Sequence, residues 1–274
     1  MTKKNPNQMS FLDHLEELRG HLIKATLYVL AFATAAFLCK KIVFKHILFA
    51  PTKINFITYK GLCNLSKALG MDESLCISMM PFEIQSRTLA GQFSAHIWVS
   101  ITFGFIVAFP FVVYQFWKFV SPGLHNNERK TSRGFIFAAS FLFFLGVLFG
   151  YYIICPLSIN FLGNYSVDST IHNDFDLDSY IGLVRACTLA SGLIFELPII
   201  IYFLTKIGLV TPDFLKKQRK IALVVILIIS AVITPPDLAS QIIVAIPVLI
   251  LYEISIFISK RVLKKQHKKE LQTN

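Results

Sequence analysis

Several stretches of this sequence run for 16 residues or more without a charged side chain, and few folds can absorb them. An α-helix of about 20 mostly apolar residues crosses the hydrocarbon of a bilayer. Composition points the same way: of 274 residues, 54% are hydrophobic, 26 are phenylalanine, and only 16% are charged. Soluble domains carry roughly a quarter charged residues. Transmembrane barrels alternate apolar and polar residues in segments of about ten, a pattern these uniform runs do not have. The expected fold is all-α: a polytopic membrane protein forming one integral-membrane domain over residues 1–274.

Six spans can be read. The first covers about Leu22 to Leu38, after an amphipathic segment 1–21, and Lys40 and Lys41 close it. The second lies within Thr88–Trp117, and the third within Gly134–Val167, where Pro156 predicts a kink or a helix end. The fourth covers about Ile181 to Thr205. The last two, Ile221–Thr234 and Leu238–Tyr252, are separated only by Pro235, Pro236 and Asp237, which predicts a tight hairpin of short helices. About 16 helical residues reach roughly 24 Å, less than the hydrocarbon thickness of about 30 Å. The bilayer thins there or flanking lysines snorkel. The six-span core then occupies residues 22–258, followed by a basic tail, 259–274.

Net charge is +11, from 27 Lys and Arg against 16 Asp and Glu. Basic residues gathered beside apolar spans act as topology signals and contacts to anionic lipid, so nucleic acid is not the expected partner. Lys3, Lys4 and Arg19, then Arg129, Lys130 and Arg133, then Lys206 to Lys220, then the tail from Lys260 to Lys269 fall on one side of the six-span reading. Both termini are therefore expected in the cytoplasm. The first outer segment runs against the rule, with Lys40, Lys41, Lys45, Lys53, Lys60, Lys67 and Arg87, but at about fifty residues it nears the length where such counting loses force. Cys63 and Cys76 share that segment and would pair on an oxidising side, although free thiols are the simpler expectation for five cysteines without CxxC or metal-ligand spacing. No metal or other cofactor is implied. The motifs HExxH, GxSxG and GxxxxGKS/T do not occur, so the chain does not read as an enzyme. The polar opening MTKKNPNQMS predicts that no signal peptide is removed.

The densest charge stands beside the first span. Phe11, Leu15, Leu18 and Leu22 form one stripe of a helix, and Asp13, Glu16, Glu17 and Gly20 share the opposite face. Asp13 and Glu17 repel mildly at helical spacing, and the acidic face has no basic partner at the favoured distance. Taken alone, this is either an interfacial helix whose acids sit in water or a surface kept for a cation. A second segment on the same side, WKFVSPGLHNNERK, turns at Ser-Pro-Gly and ends in Glu128, Arg129 and Lys130. Two cytoplasmic approaches thus each offer a glutamate beside an arginine.

HLEELR near the N-terminus, FAPT after the first span, FPFVVYQFWKFVSPGL followed by ER, FGYY with Pro156, FELP in the fourth span, and TPPDLASQ with AIP and LYE around the last hairpin together resemble the TatC family, the C subunit of the twin-arginine protein translocase. The pieces run from His14 to Glu253 in the family's order. The resemblance implies a concave six-helix scaffold, with short fifth and sixth helices, that receives signal peptides of folded proteins at its cytoplasmic face. It also implies that Glu17 and Glu128 recognise the paired arginines of the signal, with His14, Leu18, Arg19 and Arg129 in the same two motifs. Arginine stays charged and bonds carboxylates bidentately. Two charge-assisted contacts of roughly 1.5 to 3 kcal/mol each would discriminate on the order of 10² to 10⁴-fold. Implied partners are single-span TatA- and TatB-type subunits, membrane lipid, and further copies of the chain in a larger complex. The implied setting is a bacterial inner membrane, with export driven by the proton-motive force.

Glu196 lies about ten residues from Lys206, roughly 15 Å along the helix, and an acid at that depth must face protein or water. It is protonated, bonded to Gln241, or open to a partner helix; the resemblance links both residues to the TatA and TatB subunits. A proton-coupled small-solute transporter using Glu196 is the alternative, although no clear inverted repeat accompanies it. Arg185 is too far away to pair with Glu196 and is expected to snorkel outward. Pro51, Pro110, Pro156 and Pro198 match the family pattern, and like Pro235, Pro236 and Asp237 they are expected to shape the backbone.

Overall fold

Between Phe11 and Leu38 the chain has no proline, and its single glycine, Gly20, does not break it: α1 (Phe11–Leu38) carries the charged turn and the first apolar run as one rod of 28 residues. The computed structural model describes residues 11–68, 70, 76, 82–120, 132–168, 170–171, 173–234 and 238–273. After α1 come α2 (Lys40–Ile42), a π-helical turn over Val43–Leu48, α3 (Ile57–Ala68) and strand β1 (Glu83–Gln85). α4 (Gly91–Val120) follows, then α5 (Ser132–Phe149), which passes through a π segment, Gly150–Ile154, into α6 (Cys155–Asn164). Strand β2 (Asp174–Asp176) leads into α7 (Leu177–Phe195), α8 (Leu197–Lys206), α9 (Pro212–Lys217), α10 (Arg219–Ile233) and α11 (Leu238–Thr273). The two strands pair in parallel, Ile84 opposite Phe175, and pin two connecting segments together.

Among the described residues, five segments are long and apolar enough to cross a membrane: Leu15–Leu38, Gly91–Val120, Gly134–Asn164, Leu177–Lys206 and Ser240–Gln266. The hairpin helix α10 is short, as the sequence predicts, at 15 residues. Its partner corrects the expectation of a short sixth helix, because α11 runs for 36 residues through the basic tail. No glycine or proline interrupts Glu253 to Thr273, and lysine, leucine, glutamate and glutamine sustain a helix whether or not lipid surrounds it. Apolarity ends before the helix does. Thr205 Oγ1 donates to Ser259 Oγ at 2.8 Å, and Gln266 Nε2 donates to the Lys206 carbonyl at 3.0 Å, tying this extension to α8. Pro235, Pro236 and Asp237 lie outside the described residues.

The expectation of free thiols in the first outer segment is also corrected: Cys63 and Cys76 form a disulfide, with Cα atoms 4.4 Å apart. Sequence spacing alone does not show that the chain after α3 turns back on it. Disulfides persist in oxidising compartments.

Prolines act through the carbonyls they leave without donors. Pro156 has no N–H for Tyr152, four residues earlier, and Thr58 Oγ1 donates to that carbonyl instead. Pro198 likewise removes the donor for Ile194, and the fourth span breaks there into α7 and α8. Three tyrosines hold the segment after α1. Tyr151 donates to the Ile47 carbonyl and Tyr180 to that of Leu48, each at 2.6 Å, and Tyr59 donates to that of Pro51 at 2.8 Å. Tyr59 also reaches the Pro156 carbonyl at 3.2 Å, so two family-matched prolines meet on one hydroxyl. Burial pushes the Tyr59 phenol up from its ordinary value, and it remains a donor.

α1 leans chiefly on α4. The pairs His21–Gln115, Ala33–Gly104 and Phe37–His96 step in opposite directions, so the two helices are antiparallel. A Cβ on Gly104 would lie 2.5 Å from the Ala33 nitrogen, and its absence lets the backbones touch. One apolar core joins Val99, Ile154, Ile181 and Val244, and a second joins Ile201, Ile226, Val248 and Ile256.

Candidate functional site: the Glu17 end of the bundle

Contacts gather the charged segments at one end. Trp117, in the last turn of α4, stacks on Phe135, in the first turn of α5, at 4.5 Å, and both meet Phe203 near the end of α8. Gln266 of α11 joins the same end through Lys206. The start of α1 belongs there too, because His21 Nδ1 lies 2.8 Å from Gln115 Oε1 and its ring meets the edge of Phe119. The disulfide, the strand pair and the three tyrosines lie at the opposite end, where Phe37 stacks on His96.

Within HLEELR the helix sorts its side chains. Glu16, Leu18 and Arg19 are exposed, whereas Glu17 is half-buried, and its Oε2 is shielded from solvent without a hydrogen-bond partner. The backbone of His14 lies in α1. Glu17 stands one turn before His21, level with the last turn of α4. A carboxylate oxygen out of water and without a donor is costly; bidentate arginine has the geometry to satisfy it. Glu128 and Arg129 lie outside the described residues. Val120 and Ser132, which flank their segment, both stand at the Glu17 end. His21 and Gln115, which hold α1 in place here, are contacts that neither helical periodicity nor charge would have singled out.

Residues 13–247 match the family described as Sec-independent protein translocase protein (TatC). The chain belongs to the TatC family. Its relatives include the TatC of Blattabacterium sp. subsp. Periplaneta americana, 44% identical across 96% of this chain and 100% of that one. TatCy of Bacillus subtilis is 36% identical across 98% of this chain and 95% of its own. A crystal structure titled as the twin arginine translocase receptor TatC in DDM superposes with a TM-score of 0.69 at 34% identity, covering 90% of this chain and 99% of that one. As a TatC-family member the chain is a subunit of the Tat protein translocase, a multi-pass membrane protein that works with other Tat subunits.

Another family-matched acid sits inside the bundle. Glu196 is 8% exposed and occupies the break between α7 and α8, with φ −74° and ψ −6°. Its backbone carbonyl accepts from Ile199 and Ile200, starting α8, while its side-chain Oε1 is buried without a partner. The bond to Gln241 is not formed: Gln241 Nε2 donates to the Leu227 carbonyl at 3.0 Å, closing the α10–α11 hairpin. The Arg185 guanidinium lies 4.9 Å from the centre of the Trp98 ring. The LYE match has internal work: Tyr252 donates to the Leu215 carbonyl at 2.8 Å, and Glu253 pairs with Arg219 at 2.7 Å. Among the described residues, no cluster of three His, Cys, Asp or Glu side chains could hold a metal.

Proposed function

We propose that this chain is the receptor of its translocase, binding twin-arginine signal peptides of folded cargo at the end of the bundle that carries Glu17. The observation that carries the reading is the shielded, unpartnered Glu17 Oε2 at the end of the bundle where α4 finishes and α5 begins. Glu128, outside the described residues, falls in the sequence between the end of α4 and the start of α5, and both of those helix ends stand at the Glu17 end. Two carboxylates there match two guanidinium groups. In this reading the chain is one integral-membrane domain with six crossings, α10 serving as the short fifth, and with a concave face toward its guests. Both termini lie in the cytoplasm of a bacterium and the membrane is the inner one. The basic residues at the Glu17 end and the disulfide at the other support that orientation.

The test is photocrosslinking from Leu18 to a signal peptide. A peptide with two arginines is expected to crosslink at least about tenfold more than one with two lysines, since lysine cannot bond bidentately. Equal crosslinking removes the reading.

The orphan Glu196 Oε1 supports a second part: a TatA- or TatB-type helix packs at the α7–α8 break and donates a polar hydrogen to it, in an assembly of several copies. Glu196→Gln keeps a hydrogen-bonding group and is expected to keep export near the wild-type level. Glu196→Leu should lose about tenfold, the worth of one such bond. Normal export by the leucine variant ends this part.

A further inference from the structure

The end of the bundle opposite Glu17 holds a cavity of about 1040 Å³ between the segment after α1 and the first turns of α4. Lys40, Lys41, Lys45 and Lys53 line it, with Phe44 and Phe93 on its apolar wall. We propose that this cavity binds the phosphate-bearing headgroup of an anionic phospholipid.

Its chemistry is one-sided. No carboxylate lines it, and none of the four lysines forms an ion pair with another described residue. Two acids of the neighbouring strand β2 have partners of their own: Asp174 accepts from Gln85 at 2.9 Å, and Asp176 accepts from the Arg87 backbone at 3.3 Å. Four like charges around one hollow repel each other, and an anion relieves the repulsion. Its depth suits lipid. Lys40 and Lys41 follow directly on the apolar run that ends at Leu38, and Phe93 lies in the first turn of the second membrane-crossing segment, so the cavity opens where hydrocarbon gives way to headgroups. Phe93 is 63% exposed beside these lysines, an apolar surface for glycerol and the first acyl carbons. Its frame is held. Phe44 packs edge-on to His96, whose Nε2 donates to the Phe37 carbonyl at 3.0 Å, and the three tyrosine hydroxyls fasten the carbonyls of Ile47, Leu48 and Pro51. A cavity this size exceeds one phosphate, which favours a headgroup carrying two. The site explains why the first outer segment holds lysines that the topology rule does not call for. It does not depend on the receptor reading; orientation decides only which leaflet supplies the lipid.

Native mass spectrometry of the full chain in mild detergent, titrated with diphosphatidylglycerol or with phosphatidylcholine, tests the proposal. Wild type is expected to bind one diphosphatidylglycerol ahead of all others. The variant Lys40→Gln, Lys41→Gln, Lys45→Gln, Lys53→Gln should weaken that first site on the order of 10² to 10³-fold, from about fivefold per lysine near anionic lipid. Phosphatidylcholine binding should not change, and replacing the same four lysines by arginine should keep the site. An equal first affinity in the glutamine variant overturns the proposal, as does loss of the site in both variants. Displacement of the lipid by millimolar pyrophosphate also overturns it, assigning the cavity to a soluble anion.

Discussion

Glu17→Lys is expected to lower affinity for a twin-arginine signal peptide by at least about 100-fold, while Glu17→Gln lowers it by about tenfold. The glutamine keeps a carbonyl acceptor but loses the charge, and with it roughly half the strength of each hydrogen bond. The lysine adds repulsion to that loss. Stability should move the other way. Glu17 Oε2 is shielded without a donor, so the unliganded protein carries its desolvation cost for no internal bond. Removing that cost should leave the thermal midpoint of Glu17→Gln unchanged or raise it, as expected where a site is kept at the expense of stability. Fluorescence anisotropy of a labelled signal peptide, with thermal unfolding in the same detergent, separates the two effects. Undiminished binding by Glu17→Lys would contradict the site; weak binding accompanied by a lowered midpoint would mean that Glu17 only supports the fold.

Gly150→Val should prevent the bundle from assembling. Gly150 opens the π segment, and a Cβ there would run into the Cys187 carbonyl and lie 2.9 Å from Ser191 Oγ. Both belong to α7, so the new methyl groups would push apart the α5 and α7 spans, with Gly146 and Gly192 in equally close contact along the same seam. Overpacking of this kind costs roughly 3 kcal/mol or more when the obstacle is backbone. Size-exclusion chromatography is expected to show mostly aggregate. Gly134→Ala is the control: it lies in the first turn of α5, and the new methyl group would meet nothing within 4 Å. A helix gains up to about 1 kcal/mol from that exchange. A well-folded Gly150→Val protein would show that α7 can yield at this contact.

How much of the fold is legible in the sequence depends on how local the physics is. The irregular turn before Pro156, a π segment over Gly150–Ile154, can be read because the missing N–H belongs to the residue itself, and the short α10 can be read because its charged and proline boundaries are in the sequence. The length of α11 escapes a reading of apolarity, which ends at about Tyr252, although the absence of glycine and proline from Glu253 to Thr273 is itself in the sequence. The Cys63–Cys76 bond escapes it because pairing depends on where the chain after α3 returns. Gln241 looks open to Glu196 or to a partner in the sequence, yet its Nε2 donates to the Leu227 carbonyl in the neighbouring helix. Glu196 stands out by its charge in an apolar span; its position at a helix break follows from Pro198, two residues on.

By itself the sequence determined that this chain is helical, lies in a membrane and carries the TatC motifs in order, because apolar run length, charge placement and residue type act along the chain. Only the tertiary structure decided that Glu17 turns inward while Leu18 and Arg19 turn out, that Glu196 keeps an unpartnered oxygen, and that four lysines surround one hollow. Whether a polar atom finds a donor, and whether like charges converge, depends on residues distant in the chain being brought within a few ångströms of one another.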